Sequence, residues 1–157
     1  MPAGELFIKT TGTGGSYVDA YNTWGLSLED EGLSRLITPR PHKSPVTNKN
    51  VTASGAYVIA NTIGKEDERT ISVPMHITAR TKADFWTQYE AFCADVLARG
   101  TVYVKVVLHP TAQTTKELTW TLVYQDVQNF TEFIQEMAKF DVVFYESNYT
   151  PETVQGT

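Results

Sequence analysis

The chain has 157 residues, 41% of them hydrophobic, and a formal net charge of −5 at pH 7. This length suits a single domain, residues 1–157, and this share of apolar residues supplies a core without disulfides. The acidic balance argues against a surface that grips nucleic acid, but not against one past which DNA slides. Because the sequence has no long apolar run and no basic-then-apolar N-terminus, we expect no membrane segment and no export by a recognisable leader.

The N-terminal part combines short strand patterns with turns. Residues 5–9 alternate as in a short strand, and residues 26–28 predict another. Between them, residues 11–16 have the glycine content of a phosphate cradle, but Tyr17 replaces the third glycine of the dinucleotide-binding pattern. We therefore interpret residues 11–16 as a flexible turn, and the acidic residues 29–32 as a second turn.

A long polar loop is predicted at about residues 38–54. The pattern loosens from Leu33 onwards, and Pro39, Pro41 and Pro45 follow close together. A loop of this length inside a compact domain is uncommon and is usually functional or disordered, so it is the first place to look for contact with a partner. Its candidate interface residues are Arg40, His42, Lys43 and Lys49.

The clearest strand pattern covers residues 69–80 and follows a shorter candidate strand at residues 56–63. Pro74 cannot donate a hydrogen bond to a neighbouring strand, which predicts either an edge strand or a bulge at that position. Because an unpaired edge is a template for association, we predict that this strand pairs with a neighbouring chain. Its candidate interface residues are Arg69, Ile71, Val73, Met75 and Ile77.

One principal helix is predicted at about residues 82–99. Its buried stripe recurs at helical spacing and consists of Phe85, Tyr89, Phe92 and Val96. Thr81 is placed to cap the N-terminus, and Gly100 is placed to end the helix in a left-handed conformation. Cys93, the single cysteine, lies on the buried face, so we interpret it as an apolar filler rather than a nucleophile.

Strand patterns fill the chain after the helix. They lie at residues 101–108, 118–125, 126–135 and 137–145, with a loop at 109–116. The pattern at 126–135 favours a strand over a helical turn, and a polar tail follows at about residues 147–157. The order of elements predicts an α+β domain that is mainly antiparallel β, either a sandwich or a partly closed barrel, flanked by one helix.

The sequence contains no evident catalytic or metal-binding motif. His42, His76 and His109 lack a second ligand at metal-binding spacing, and no nucleophile motif occurs. We therefore expect no metal, no cofactor and no enzymatic activity. In a less favoured alternative, Glu29 and Asp67 form the carboxylate pair of a glycoside hydrolase.

A carbohydrate-binding β-sandwich module is the stronger alternative. It would use the aromatic residues Tyr17, Tyr21 and Trp24 as a platform for sugar rings. Aromatic side chains more often belong to a core or an interface, so this alternative requires the three side chains to be exposed and coplanar.

Five segments together carry a resemblance to a known family. They are YNTWGL at 21–26, LITPRPHK at 36–43, GAY at 55–57, RTISV at 69–73 and DFW at 84–86. Their succession, followed by the strand after Gly100, resembles that of tailed-phage distal tail proteins and the related tail-tube fold. The resemblance covers roughly residues 5–146, and its motifs are structural rather than catalytic.

This resemblance implies a structural subunit of a phage or prophage tail, made in the bacterial host cytoplasm and incorporated into the virion. Proteins of this family assemble as rings, usually hexamers, by joining sheets edge to edge around a channel through which DNA passes without specific binding. The implied partners are further copies of the chain and other tail or baseplate proteins. Acidic residues 29–31 or 66–68 of one copy would complement the basic loop of the next. Distal tail, tail tube and tail adaptor roles stay open.

Overall fold

The computed structural model describes residues 5–10, 15–42, 47–49, 56–58 and 68–146. The strands are β1 (Leu6–Lys9), β2 (Val18–Asp19), β3 (Leu26–Leu28), β4 (Thr47–Lys49), β5 (Ala56–Val58), β6 (Arg69–Thr78), β7 (Thr101–Thr111), β8 (Thr114–Phe133) and β9 (Met137–Glu146). The helices are α1 (Ala20–Trp24), α2 (Asp30–Ile37) and α3 (Lys82–Asp95), and a 3₁₀ turn follows α3 at Leu97–Arg99.

Most of the strands form one antiparallel sheet. Within the described residues it has seven strands in the order β2-β1-β7-β8-β9-β6-β3, and β4 pairs separately with β5. β8 belongs to both parts of this sheet, because its first half pairs with β7 and its second half pairs with β9. The predicted antiparallel α+β class is confirmed.

The position of α1 shows that the sheet is curled. β2 and β3 lie at opposite ends of the strand order, yet only α1 and Gly25 separate them along the chain. A five-residue helix spans about 7.5 Å, so the sheet must bend until its two ends lie close together. The result is a half-barrel, which is the partly closed form among the architectures predicted from the sequence.

The core fills the inside of this half-barrel. Alternate side chains of β6, β7 and β9 are buried as predicted, because successive residues of a strand face opposite sides. α3 covers them with Phe85 and Phe92, each 1% exposed. The Phe92 ring lies 6.1 Å from that of Phe140 and 6.3 Å from that of Trp24, so α3 is tied to both the sheet and α1.

α3 begins as predicted but ends earlier. Thr81 Oγ1 accepts the backbone N–H of Asp84 at 3.1 Å, which is the predicted N-cap. The helix ends at Asp95, and the chain up to Arg99 is a 3₁₀ turn, so the predicted end at residue 99 is wrong. Apolar spacing does not separate a final α-turn from a 3₁₀ turn. Gly100 follows the 3₁₀ turn and has a φ of 84°, a positive value that favours glycine, but its ψ of −63° differs from the predicted left-handed helical conformation.

The predictions of an acidic turn at residues 29–32 and of an irregular stretch after it are wrong, because Asp30–Ile37 form the helix α2. Asp30 and Glu31 lie in its first turn, where carboxylates stabilise the positive end of a helix. Gly32 suggested a turn, but its role is close packing. A Cβ atom added at Gly32 would lie 2.7 Å from the carbonyl oxygen of Pro74, so only glycine lets α2 approach β6 this closely.

The prediction that residues 69–80 form an edge strand is also wrong. β6 pairs with β9 over its whole length and with β3 over three residues. α2 covers the remaining side, where Arg35 Nη1 donates to the carbonyl oxygen of Ser72 at 2.8 Å. The Pro74 carbonyl oxygen accepts the backbone N–H of Glu29, and the N–H and C=O of one extended residue point to the same side. The donor that Pro74 lacks would therefore have faced α2 rather than β9.

β7 and β8 are longer than predicted. The loop predicted at residues 109–116 is wrong, since β7 reaches Thr111 and β8 begins at Thr114. The strand predicted at residues 126–135 is confirmed as the second half of β8, and it carries register shifts at Gln125 and between Gln128 and Glu132. Both predicted strands are thus one continuous strand that crosses from one part of the sheet to the other.

The predicted loop at residues 38–54 contains β4, which pairs with β5. Residues 43–46 and 50–55 lie outside the described part of the chain, as do residues 147–157 of the predicted tail.

Candidate assembly surfaces

The predicted interface residues of β6 belong to the interior of the subunit. Val73, Met75 and Ile77 are 0%, 2% and 0% exposed and contact the core, whereas Ile71 is half-buried. Their backbone is engaged on both sides by β9 and by β3 or α2. Any effect of these side chains on assembly is therefore indirect, through the fold. The apolar alternation that suggested an interface also describes a core strand.

Arg69 and Arg40 are engaged within the subunit. Arg69 Nε and Nη2 donate to Glu146 Oε2 at 3.1 and 2.9 Å, and the Glu146 side chain is 1% exposed. Arg69 also donates to the carbonyl oxygens of Leu36 and Thr38 at 3.0 and 2.6 Å, where α2 ends. Arg40 forms a second ion pair with Glu146. These contacts fasten the chain after α2 to the end of β6 and β9.

The remaining loop residues are placed differently. His42 is exposed, Lys49 lies in β4, and Lys43 lies outside the described residues. Among the proposed acidic complements, Glu29 Oε1 lies 3.1 Å from His76 Nδ1, and Glu31 pairs with Arg35 at 3.5 Å. Of residues 66–68, only Glu68 is described, and it accepts a hydrogen bond from the Tyr145 hydroxyl.

Within the described part of the chain, β8 has two unpaired edges on opposite sides, which sequence reasoning missed. We call residues 114–122 the N-terminal open edge, because among the described strands only β7 pairs with them. We call residues 125–133 the C-terminal open edge, because β9 is the single described strand that pairs with them. β8 has 20 residues, about twice as many as β7 or β9, and each of these two neighbours pairs with a different half of it, so the described strands leave one side of each half uncovered. Only the register of both hairpins reveals this.

The alternation of backbone hydrogen bonds along β8 identifies the N–H and C=O groups of the N-terminal open edge that point away from β7. The backbone N–H of Tyr124 donates to the carbonyl oxygen of Gly100 at 2.7 Å, on the β7 side. Backbone groups alternate in direction along a strand, so those of Leu122 and Trp120 also point to β7. The N–H and C=O groups of Thr119 and Thr121 therefore point to the unpaired side.

An exposed aromatic cluster lies beside the C-terminal open edge. We call it the aromatic socket; it surrounds a cavity of about 160 Å³ and consists of Phe85, Trp86, Tyr89, Phe130 and Phe133. Trp86 is 48% exposed, and Phe130 and Phe133 are each 42% exposed. The Phe133 ring lies 5.5 Å from that of Phe85 and 5.7 Å from that of Trp86. The predicted helix stripe therefore continues outward into a surface feature.

The Tyr89 phenol of the socket and the nearby Tyr124 phenol are both uncharged near pH 7. Burial raises the pKa of the Tyr89 phenol, and the neighbouring Cys93 raises it further. Burial also raises the pKa of Tyr124, and Asp126 adds to that effect. Both phenols therefore keep their protons at neutral pH. The socket offers aromatic surface without charge.

The three aromatic residues of the carbohydrate-binding alternative do not share a platform. Trp24 is 3% exposed, and its indole Nε1 donates to Asp95 Oδ2 at 3.5 Å. Tyr17 lies under the ammonium groups of Lys9 and Lys105, at 5.1 and 4.8 Å from its ring centre. Tyr21 is exposed. This geometry does not meet the requirement for three exposed and coplanar rings.

The described residues also contain no group of three or more His, Cys, Asp or Glu side chains arranged to hold a metal ion. Asp67, one of the two carboxylates of the hydrolase alternative, lies outside the described residues. In the described part of the chain, no helix is both long enough and apolar enough to cross a membrane.

Comparison with known proteins finds similarity at the level of the fold. No protein-family profile and no curated protein sequence matches the chain. A chain in the structure of the phage p2 baseplate in its activated conformation with strontium matches with a TM-score of 0.59 and 12% identity, over 89% of this chain and 43% of that one. A chain in the corresponding structure with calcium matches with a TM-score of 0.57 and 11% identity, over 92% and 44%. The protein thus spans less than half the length of these baseplate chains and has the fold that they show over that span.

Proposed function

We propose that this protein is a structural subunit of a phage baseplate or tail that self-assembles into a closed ring. The structural similarity to phage p2 baseplate chains supports a role in a phage baseplate or tail. The two open edges of β8 carry the argument for assembly. The ring surrounds a channel through which DNA passes, and the net charge of −5 favours passage without adhesion. Its expected partners are further copies and other tail or baseplate proteins, in the virion.

The geometry of β8 suits a head-to-tail contact. Its two open edges lie on opposite sides of one strand and have different residues, so the N-terminal edge of one copy can pair with the C-terminal edge of the next. Such a contact between unlike surfaces generates a ring if the rotation closes. It also covers both edges, which would otherwise promote aggregation. We expect a hexamer, as in the family that the sequence resembles.

Proline at Thr119 tests this proposal. The Thr119 N–H points to the unpaired side, so Thr119→Pro removes one donor from the open edge and none from the β7 pairing. We expect a folded protein that stays monomeric, as measured by native mass spectrometry and negative-stain imaging. Thr119→Val is the matched control, because it changes the same side chain but keeps the N–H, and it should form rings. Wild-type protein that remains monomeric at high concentration, or Thr119→Pro rings identical to wild type, would contradict the proposal.

The basic loop provides a second, independent proposal for a contact between copies. His42 is exposed, and we propose that it acts with Lys43 and Lys49 against acidic side chains of the neighbouring subunit. Rising salt should then weaken assembly. Deleting residues 43–50 should leave a folded monomer. Rings of the deletion variant with unchanged salt dependence would assign the loop to another partner.

A further inference from the structure

The aromatic socket exists because the backbone of β8 is irregular. Phe130 and Phe133 are three positions apart and would face opposite sides of a regular strand. Between Gln128 and Glu132, β8 has two more residues than β9, and Asn129 adopts a φ of 54°. Asn129 Nδ2 donates to Asp141 Oδ2 at 2.7 Å, which holds this bulge. β-Bulges re-aim side chains at functional positions.

The bulge turns Phe130 to the inner side of the sheet. Its ring stacks on that of Phe140 at 5.5 Å with an angle of 11° between the planes, and it lies 5.9 Å from the Tyr89 ring. Phe130 nevertheless remains 42% exposed. With Trp86 and Phe133 it leaves on the order of 300 Å² of largely aromatic surface uncovered, which is comparable to the largest apolar patch of a typical monomer, and such patches are often functional.

The other open edge carries side chains that suit this surface. On the N-terminal open edge, Leu118 and Trp120 lie opposite Val106 and Val104, so they belong to the inner face. Both are only half-buried, in contrast to the fully buried Val104 and Val106. From Leu118 to Leu122, the inner face of the N-terminal open edge is therefore apolar, and the described residues cover it incompletely.

We propose that the aromatic socket receives the inner-face side chains of the N-terminal open edge from a second copy of this chain, with Leu118 filling the cavity. This inference rests on the proposed function, because it requires the two open edges to pair. When one sheet continues into the next, inner faces lie on the same side, so Leu118 and Trp120 of one copy arrive at Phe130 and Phe133 of the other. An apolar cavity of about 150 Å³ holds one benzene ring, so a cavity of about 160 Å³ holds one leucine side chain.

Cross-linking between copies tests the contact directly. In a Cys93→Ala background, Leu118→Cys and Phe133→Cys variants are purified separately, mixed and treated with a short bis-maleimide. We expect a covalent dimer that contains one chain of each variant. Leu118→Cys mixed with Ile37→Cys is the matched control, because Ile37 is 52% exposed at the end of α2 and away from the socket. This control should give no dimer above the background of random collisions.

A substitution in the socket gives the complementary measurement. Trp86→Ala should raise the concentration at which half of the protein is assembled by about tenfold or more, since buried aromatic anchors dominate interfaces. Val18→Ala, at a 40% exposed position outside the socket, should leave that concentration unchanged. Unfolding curves of both variants establish that the fold is intact.

The two proposals fail in different ways. Rings that form normally while Phe133→Cys stays open to a maleimide dye and does not cross-link to Leu118→Cys would overturn the socket contact and leave the ring intact. A cross-link that appears only after deletion of residues 147–157 would mean that this segment occupies the edge in the full chain, and it would also overturn the inference. Wild-type protein that never assembles would overturn the ring itself.

Discussion

β6 and β8 are both long alternating strands, yet one is enclosed and the other is open. β6 is covered by β9 on one side and by β3 and α2 on the other. β8 is twice as long and, among the described strands, has a single partner along most of each half. The sequence singled out β6 as the edge because of Pro74. Side-chain alternation reports the two faces of a strand, whereas its edges are covered or open according to elements that are remote in sequence.

The largest expected difference is between proline in the enclosed strand β6, which should unfold the subunit, and Thr119→Pro in the open edge of β8, which should leave it folded. Thr78 donates its N–H toward β3, so the N–H of Ile77 points to β9. Ile77→Pro removes that donor and a fully buried side chain, which should lower the free energy of unfolding by on the order of 5 kcal/mol. Such a loss approaches the total stability of a small domain. Urea unfolding followed by circular dichroism measures it, and a stable Ile77→Pro variant would show that β6 is not enclosed.

α3 repeats the comparison between enclosed and open positions. Phe92 is 1% exposed between Trp24 and Phe140, so Phe92→Ala should cost about 3–5 kcal/mol of stability. Trp86 is 48% exposed on the same helix, and Trp86→Ala should cost the isolated subunit about 1 kcal/mol. Chemical unfolding of the two monomeric variants provides the measurement. Equal losses would mean that the socket is part of the core.

The ion pairs at the end of β6 allow a third test. Arg69→Met leaves the buried Glu146 with only Arg40 as a charged partner, which should lower the free energy of unfolding by about 3 kcal/mol. Arg35→Met removes a half-exposed guanidinium on neighbouring α2 and should cost less than about 1 kcal/mol. Thermal unfolding compares the two. A harmless Arg69→Met would leave Arg69 available for contact with another copy, as the sequence suggested.

The smallest expected effect concerns alkaline pH. The pKa of Tyr89 is higher in the folded protein than its ordinary value near 10, so the unfolded chain releases that proton first. Stability should therefore be unaffected at neutral pH and should fall as pH rises from about 10 through the folded pKa. Tyr89→Phe should weaken this decline, as measured by unfolding midpoints between neutral and alkaline pH. An identical decline in both proteins would show that the Tyr89 hydroxyl is fully solvated.

Local patterns predicted a large part of the fold. The capped start of α3 and the buried alternation of β7 and β9 each depend on residues close in sequence, and both are confirmed. α2 was missed because Gly32 suggests a turn in a local pattern. Gly32 instead allows α2 to contact the Pro74 carbonyl group, and Pro74 is more than forty positions away in the sequence.

The candidate site was harder to predict than the fold. The aromatic composition of the helix at residues 85–89 was visible, but its exposure was not, because the stripe that fills a core and the rings that border a cavity have the same spacing. Phe130 reaches the socket only through a bulge, which reverses the side that simple alternation assigns to it.

The sequence by itself determined the central parts of the long strands and the start of the principal helix, and which side of each is apolar outside the bulge of β8, because these properties follow from the geometry of neighbouring residues. Only the tertiary structure decided the strand order, the curl that brings β2 and β3 together through α1, and the burial of Arg69 with Glu146. It also decided which edges of β8 stay open. The physical reason is that hydrogen-bond pairing between strands depends on contacts between distant segments, and these are not encoded in the periodicity of any one of them.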